Sequence, residues 1–285
     1  MVSEYLEFTN SRGDTIRLGD ANIGLVSVEG LGDVGAEIQT HRSPFQDGAT
    51  FVDALLEPRY VQTELIVRGG GYNVVRSERK RLTGVVNPKL GVGVLRYVAD
   101  GEERQIMAIA ESVPYYPDAE GRGERWQRAL VTFVCPSPFW QDVNPTIIKL
   151  QDFVGNFFFP ISFPASFSIR GDEENLLNTG DVPTPINVTF RGESVNPVIT
   201  KVSTGEFIRI NRTIPAEHSL IITTGFNEKS VKIIDPYGVE SNAMGYIDLN
   251  STFMSLDVGE NKLSFITDGG SPEVFVEYRN LFLGV

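Results

Sequence analysis

The stretch VTFVCPSPFW, residues 131–140, decides how the chain is divided. It begins as a strand, because Val131, Phe133 and Cys135 occupy alternate positions. Two prolines, at positions 136 and 138, then end the strand, since proline has no backbone N–H to donate to a sheet. Two large aromatic residues follow at once. A strand that ends in this way near the midpoint of a chain marks either a bend within one domain or the end of that domain.

Length and composition indicate a two-domain globular protein. The chain has 285 residues, which suits two domains of about 140 residues each. Apolar residues make up 41% and charged residues 22%, as in ordinary folded proteins. No apolar run of about 18 residues occurs, and the first residues carry neither a basic nor an apolar leader segment. We therefore expect no membrane insertion and no secretory signal.

Both halves of the chain are acidic. Residues 1–145 contain 15 basic and 20 acidic side chains, and residues 146–285 contain 10 and 17, which gives −5 and −7 of the total charge of −12. Tight wrapping of nucleic acid is not expected, because neutralising phosphates needs an excess of Lys and Arg. An acidic surface would still let DNA pass close by without binding it.

The first half is predicted to consist mainly of strands. Alternating apolar residues between Gly, Asp and Pro turns predict strands over 5–10, 15–18, 22–32, 59–68, 91–116 (a hairpin about Asp100-Gly101) and 123–135. The segment HRSPFQDGA, residues 41–49, is predicted to be a loop. The long hairpin near 91–112 is the candidate for an arm that contacts another subunit.

One segment changes its period from two to that of a helix. Within residues 69–88 apolar residues recur at helical spacing, Asn73 is a plausible cap and Pro88 closes the segment. The polar side of this predicted helix carries a basic cluster of Arg76, Arg79, Lys80 and Arg81. We interpret the cluster as a solvated or protein-contacting face, and phosphate contact is the alternative.

The composition shifts after the two prolines. Residues 151–171, QDFVGNFFFPISFPASFSIRG, are rich in Phe and Pro and poor in charge. A free linker would be polar and rich in Gly and Ser, so this connector, above all its Phe-rich part at 153–167, is expected to pack against a domain or a neighbouring subunit. Eight short strands with Gly, Asn or Pro turns then predict a sandwich or jelly roll, over 184–192, 197–204, 206–214, 219–225, 229–235, 245–250, 262–267 and 273–279.

No constellation of catalytic or metal-binding residues is visible in the sequence. Cys135 is the sole cysteine, so the chain can form neither an internal disulfide nor a thiolate-rich metal site. His41 and His218 fall in different halves, and neither lies in a nucleophile motif. We therefore predict a protein without enzymatic activity and without catalytic, cofactor-binding or metal sites.

Several segments of the first half, taken in order, resemble one protein family. They are FTNSRGDTIRL (8–18), VEGLG (28–32), HRSPFQDGATF (41–51), EPRYVQTELIVRG (57–69), LTGVVNPKLGVGVLRY (82–97) and VTFVCPSPFW (131–140). The step formed by Asn87-Pro88, Gly93, Leu95 and Tyr97 and the exit CPSPFW are the most specific parts. The series resembles the distal tail protein (Dit) of long-tailed bacteriophages, the siphovirus tail-component family. The second half resembles that family more loosely, through NTGDVPTPINVTFRG (178–192), IRINRTI (208–214) and LDVGENKLSF (256–265).

The resemblance implies a fold and a domain arrangement. It implies a mainly β chain, with an N-terminal split β-barrel or sandwich that carries one helix and a long hairpin, and a C-terminal galectin-like β-sandwich, or jelly roll. The expected domains are a ring-forming belt domain at 1–142, the Phe/Pro-rich connector at 143–170 and the jelly roll at 171–285.

The resemblance also implies a structural function. Six copies would form a homohexameric ring in the virion, at the distal end of the tail, in a tail tip or baseplate. The ring would join the tail tube protein to the tail-tip protein or lysin, and in some members to receptor-binding proteins used in host attachment, while DNA passes through without specific binding. The alternative is a carbohydrate-binding module for host adhesion, in which Tyr237, Tyr246 or Tyr278 would stack on a sugar.

Overall fold

The structure, a computed structural model, describes residues 4–150 and 173–285. Within these residues it contains 25 strands, one α-helix and three short 3-10 helices. Helix α1 spans Tyr72–Val85, and the 3-10 helices span Pro88–Leu90, Ala119–Gly121 and Met244–Tyr246. The strands are β1 (Tyr5–Thr9), β2 (Thr15–Leu18), β3 (Ile23–Glu29), β4 (Ala36–His41), β5 (Thr50–Leu56), β6 (Arg59–Arg68), β7 (Gly93–Ala99), β8 (Glu102–Ala110), β9 (Trp126–Cys135), β10 (Trp140–Asp142), β11 (Thr146–Leu150), β12 (Glu173–Asn178), β13 (Thr184–Arg191), β14 (Ser194–Val195), β15 (Val198–Lys201), β16 (Phe207–Arg209), β17 (Thr213–Ile214), β18 (Ser219–Thr223), β19 (Ser230–Ile234), β20 (Glu240–Asn242), β21 (Ser255–Leu256), β22 (Gly259–Ile266), β23 (Gly269–Gly270), β24 (Glu273–Tyr278) and β25 (Leu281–Phe282).

The chain divides into two compact units. The first unit comprises Met1–Val143 together with Phe282–Val285, and the second comprises Asn144–Leu281. The last four residues therefore return to the first unit. Strand β11, which lies within the expected connector at 143–170, belongs to a sheet of the second unit, where it pairs with β24. The Phe-rich stretch at 153–167 lies outside the described residues.

The first unit is built on one antiparallel sheet path. Its strand order is β2-β1-β7-β8-β9-β6-β3, and β10 pairs with β8 and with β25. Long strands form where the alternation is strict: in β6 and β9, every second side chain is buried. Strands β8 and β9 meet through two residue pairs at their ends. In the described part of the chain β2 and β3 do not pair with each other, so the sheet does not close into a barrel.

The core of the first unit joins the sheet to the helix and to residues after the two prolines. Val75, Leu82 and Val85 of α1 are buried in it together with strand residues such as Phe8 and Phe133. The rings of Phe8 and Phe133 lie 4.8 Å apart between centroids. Fully burying a side chain of this size stabilises the fold by about 1.5–3 kcal/mol.

The second unit is a β-sandwich. One sheet has the order β11-β24-β13-β18-β19-β20, with β21 beside β13, and the other has the order β12-β22-β15-β16. A shorter sheet contains β17, β14 and β23. The core contains side chains of both main sheets, among them Phe190 and Phe265, whose ring centroids are 6.2 Å apart. The expected mainly β fold with two strand-rich halves is thus confirmed.

Two local predictions were wrong. Asn73 does not cap the helix: Gly71 occupies the N-cap position and no side chain caps it, because the helix begins at Tyr72 and leaves Asn73 inside its first turn. Residues 245–250 do not form a strand. A 3-10 helix occupies their start, and the Asp248 side chain then accepts a hydrogen bond from the Asn250 backbone N–H at 2.9 Å. Such side-chain turns compete with a strand ladder.

Candidate assembly surface

The most exposed regular element is a hairpin that pairs with no other strand. Strands β4 and β5 form a two-stranded sheet of their own among the described residues. We call this hairpin, residues 36–56, the arm. Every residue of its two strands is exposed except Leu56, which is half-buried. An isolated hairpin is at best marginally stable in water, so the arm needs a surface to pack against.

The arm has one apolar face. Residues directly opposite each other in an antiparallel pair point to the same side. Ala36 pairs with Leu56, Ile38 with Ala54 and, past a bulge, Thr40 with Phe51. Ile38 is 56% exposed and Phe51 is 63% exposed. These apolar side chains, which we call the apolar face of the arm, are exposed in the single chain apart from the half-buried Leu56.

The opposite face of the arm is acidic. It carries Glu37 opposite Leu55, and Gln39 opposite Asp53. The Asp53 carboxylate accepts a hydrogen bond from the backbone N–H of the next residue at 2.8 Å. We call this side the polar face of the arm. Its two carboxylates form no ion pair with any residue that the structure describes.

The hairpin near 91–112, predicted as a candidate for contact with another subunit, is a different element from the arm, and its contact with another subunit stays a prediction. It exists as predicted, turning at Asp100-Gly101, where both residues have positive φ. However, β7 lies between β1 and β8, and β8 continues the path to β9. Their inward side chains, such as Leu95 and Ile106, are buried. Strand β7 is therefore paired on both sides within the first unit, and β8 is paired with β7 on one side and in part with β10 and β9 on the other.

Three of the four residues of the predicted basic cluster on the helix line a groove, and Arg81 does not. The groove has a volume of about 830 Å³ and lies between α1 and the segment that carries Tyr116. We call it the helix groove. Its lining includes Tyr72, Arg76, Arg79, Lys80, Thr83 and Tyr116, and no acidic side chain.

Tyr116 forms a fixed wall of the helix groove. Its hydroxyl donates to the Arg79 carbonyl oxygen at 3.0 Å and lies 2.9 Å from the Thr83 hydroxyl. The Arg79 guanidinium lies over its ring, 4.5 Å from the centroid, a favourable cation–π geometry. Burial raises the pKa of Tyr116, although Thr83 and Arg79 act in the opposite direction. The phenol is therefore neutral at physiological pH.

Two cations of the helix groove, Arg76 and Lys80, are available to a partner, whereas Arg79 lies over the Tyr116 ring. Arg81 is occupied within the first unit, since it pairs with Glu78 at 2.9 Å and lies 3.8 Å from Asp20. Arg76, Arg79 and Lys80 form no ion pair with a described residue. The groove thus presents positive charge in a chain whose net charge is −12.

Sequence reasoning missed a buried arginine that organises the end of the first unit. Arg59, at the start of β6, is fully buried. Its Nε donates to the Pro138 carbonyl oxygen and its Nη1 to the Gly30 carbonyl oxygen, each at 2.8 Å, and its Nη2 donates to the Leu283 carbonyl oxygen. Burial lowers the pKa of Arg59, and the nearby Cys135 and Asp33 act in the opposite direction. An arginine still remains charged, and carbonyl dipoles solvate this one.

Two of the carbonyl groups that bind Arg59 belong to a glycine and a proline. At Gly30, φ is 90°, and a Cβ would lie 1.9 Å from the Tyr60 carbonyl oxygen, so a side chain has no room there. Pro138 belongs to the stretch VTFVCPSPFW, residues 131–140. Trp140, the last residue of this stretch, is fully buried and donates its indole N–H to the Leu31 carbonyl oxygen at 3.1 Å. The stretch therefore closes the first unit.

The cysteine and the two histidines do not lie together in one site. Cys135 is buried in the core of the first unit, and burial raises its pKa to about 12, with Arg59 acting in the opposite direction. A thiol with such a pKa is not a nucleophile at neutral pH. His41 lies on the arm, whereas His218 belongs to the second unit. Among residues 4–150 and 173–285, no group of three His, Cys, Asp or Glu side chains is placed to hold a metal ion.

The three tyrosines considered for sugar stacking differ in accessibility. Tyr278 is buried, and the Arg212 guanidinium covers the ring of Tyr246 at 4.2 Å. Tyr237 is 91% exposed. In the part of the second unit that the structure describes, Tyr237 is thus the one of the three with a free ring.

No helix within the described ranges has the length and apolar character needed to cross a bilayer.

Comparisons with known proteins agree with this architecture. Residues 179–282 match the family described as siphovirus-type tail component, C-terminal domain. The whole fold is similar to the crystal structure of the Dit protein of phage SPP1, described as a paradigm of the hub adsorption apparatus in phages that infect Gram-positive bacteria. The TM-score is 0.70 at 12% identity, over 98% of this chain and 99% of that chain.

Two further structures are similar over nearly the full length. They are chains of the phage P2 baseplate in its activated conformation, with Ca (TM-score 0.58, 11% identity, 98% of each chain) and with Sr (TM-score 0.56, 11% identity, 97% of this chain and 98% of that chain). At such identities these likenesses show the fold. No curated protein sequence matches the chain.

Most of the second unit therefore lies within the stretch that matches a siphovirus-type tail-component domain. The resemblance to the distal tail protein family, Dit, is confirmed by this match and by the full-length fold. The matches are to structural components of phage tails. The expected location in the virion, at the distal end of the tail, agrees with all of them.

Proposed function

We propose that six copies of this chain form a ring that serves as the structural hub at the distal end of a phage tail. The ring joins the tail tube protein to the tail-tip protein or lysin and to receptor-binding proteins. DNA passes through it without specific binding, and no substrate is turned over. The tail-component match of residues 179–282 and the likeness to the SPP1 hub protein support this proposal.

The exposed arm is the structural feature that best supports the proposed ring. In a cyclic ring each copy uses two different surfaces, one that contacts the copy before it and one that contacts the copy after it. The arm projects an apolar face that nothing in its own described chain covers. Burying Ile38 and Phe51 against a neighbour would stabilise each contact by about 1.5–3 kcal/mol per side chain. The same burial would order a hairpin that is otherwise marginal.

The charge of the chain supports free passage of DNA. A net charge of −12 on each copy gives a ring that repels phosphate on average. A protein that held DNA through many phosphate contacts would need an excess of basic residues, which neither half of this chain has.

Substitutions on the apolar face of the arm test the proposal. The double variant Ile38→Asp, Phe51→Asp is expected to remain monomeric at concentrations where the wild-type chain assembles, because it places two charges in the contact. Size-exclusion chromatography with light scattering measures the mass, and circular dichroism checks that the strands persist. Leu249→Asp is the matched control, since Leu249 is 98% exposed in the second unit. A double variant that assembles as the wild type does would contradict the proposal.

A further inference from the structure

We propose that the helix groove of one copy receives the polar face of the arm of the neighbouring copy, with Arg76 and Lys80 facing Glu37 and Asp53. This inference rests on the proposed ring and deepens it, because it assigns the receiving surface and the charges that select it. The apolar face of the arm supplies buried area. The polar face determines where the arm binds.

The two surfaces have opposite unpaired charge. Glu37 and Asp53 on the arm form no ion pair within the described chain, and neither do the three groove cations. At the arm's tip the Arg42 Nε donates to the Gln46 carbonyl oxygen at 3.0 Å, so this cation is held by the tip itself. Charges of opposite sign on two surfaces steer association and reject wrong partners.

The two surfaces also match in their apolar parts. Leu55 lies directly opposite Glu37 on the polar face of the arm and is 49% exposed. The helix groove offers the exposed ring of Tyr72 and the fixed ring of Tyr116. An acidic face with one leucine fits a basic groove with two aromatic walls, since the leucine can bury against a ring while the carboxylates reach the cations.

A second basic groove on the first unit provides a surface for comparison. It has a volume of about 580 Å³ and is lined by Ile66, Trp126 and Arg128, among others. The Arg128 guanidinium is already paired with Glu64 at 2.7 Å. This groove also contains the exposed Arg125, which makes it the natural control surface.

Charge reversal and rescue test the inference in the full chain. The groove variant is Arg76→Glu, Lys80→Glu, which keeps Arg79 on the Tyr116 ring, and the arm variant is Glu37→Lys, Asp53→Lys. Each alone is expected to raise the concentration of half-assembly by at least about tenfold, as measured by sedimentation in moderate salt. The combined variant is expected to return to within about threefold of the wild type. Arg125→Glu is expected to leave assembly unchanged.

The outcomes separate this inference from the ring itself. If the wild-type chain assembles and the groove variant assembles equally well, the inference is overturned and the ring stands. If both single-surface variants fail and the combined variant is not rescued, the pairing is overturned as well. A wild-type chain that does not associate at any concentration overturns the proposed function together with this inference. Weaker assembly of the wild type at high salt supports the charge pairing.

Discussion

Arg59 connects three separate parts of the chain through one side chain. Three of its N–H groups donate to the carbonyl oxygens of Gly30, Pro138 and Leu283, which lie far apart in sequence. Pro138 lies shortly before the chain leaves the first unit, and Leu283 lies just after the chain returns to it. A buried charge with satisfied hydrogen bonds is costly to disrupt, because removing it leaves its polar partners unpaired.

Replacing Arg59 should destabilise the first unit. Arg59→Met is expected to lower its free energy of unfolding by about 3–5 kcal/mol, because three carbonyl oxygens lose a charged donor. Both tryptophans, Trp126 and Trp140, lie in the first unit, so their fluorescence in a denaturant titration reports that unit. Arg12→Met, on an exposed turn, is the control and should change stability by less than about 0.5 kcal/mol. A loss below about 1 kcal/mol for Arg59→Met would refute the role assigned to Arg59.

Cys135 should make the first unit less stable at high pH. Its pKa is raised from 9.0 to about 12 by burial. Below pH 9 the thiol is protonated in both states, so its full contribution is present. Between pH 9 and 12 the unfolded chain loses the proton and the folded chain keeps it, so stability falls by up to about 1.4 kcal/mol per pH unit. The difference between wild type and Cys135→Ala, followed by tryptophan fluorescence, measures this slope, and parallel profiles would contradict it.

At the scale of elements, the sequence predicted those strands that bury one side. The alternation in β6 and β9 places every second side chain in the core, so period and burial agree. The arm gave no such signal, because both of its faces are exposed and its strands flank the HRSPFQDGA loop. The basic cluster of α1 was visible as a pattern, whereas the groove it lines depends on Tyr116, a contact between distant residues.

Buried polar contacts were the least predictable from sequence. Arg59 occupies the first position of a long strand, where an arginine is ordinarily exposed. Its burial depends on carbonyl groups brought together only by the folded chain. The return of residues 282–285 to the first unit could not be predicted either, because no local sequence pattern marks it.

Removing the returning segment should weaken the first unit. Deletion of residues 282–285 removes the Leu283 carbonyl oxygen that Arg59 binds and the Phe282 ring under the Arg104 guanidinium, 4.1 Å from its centroid. We expect a loss of at least about 2 kcal/mol in the unfolding free energy reported by tryptophan fluorescence. Deleting Val285 alone leaves both contacts in place and should have little effect. Equal stability of the two truncated chains would contradict this account.

At the scale of the whole molecule, the two units differ in what they offer to an assembly. In the proposed ring the first unit forms the closed contact, through the arm and the helix groove. In the same proposal the second unit, which carries the tail-component match, contacts other tail proteins. The acidic charge is shared by both halves, so the proposed ring of six copies would present a surface that does not retain DNA.

The mass of the full chain in solution tests the central claim most directly. One chain weighs 31.5 kDa, so six copies weigh six times as much, about 189 kDa. Native mass spectrometry over a range of concentrations should show this species as the dominant assembly, and negative-stain microscopy should show it as a ring with a central channel. A chain that stays at 31.5 kDa at every concentration, or that closes with a different number of copies, would contradict the hexameric hub.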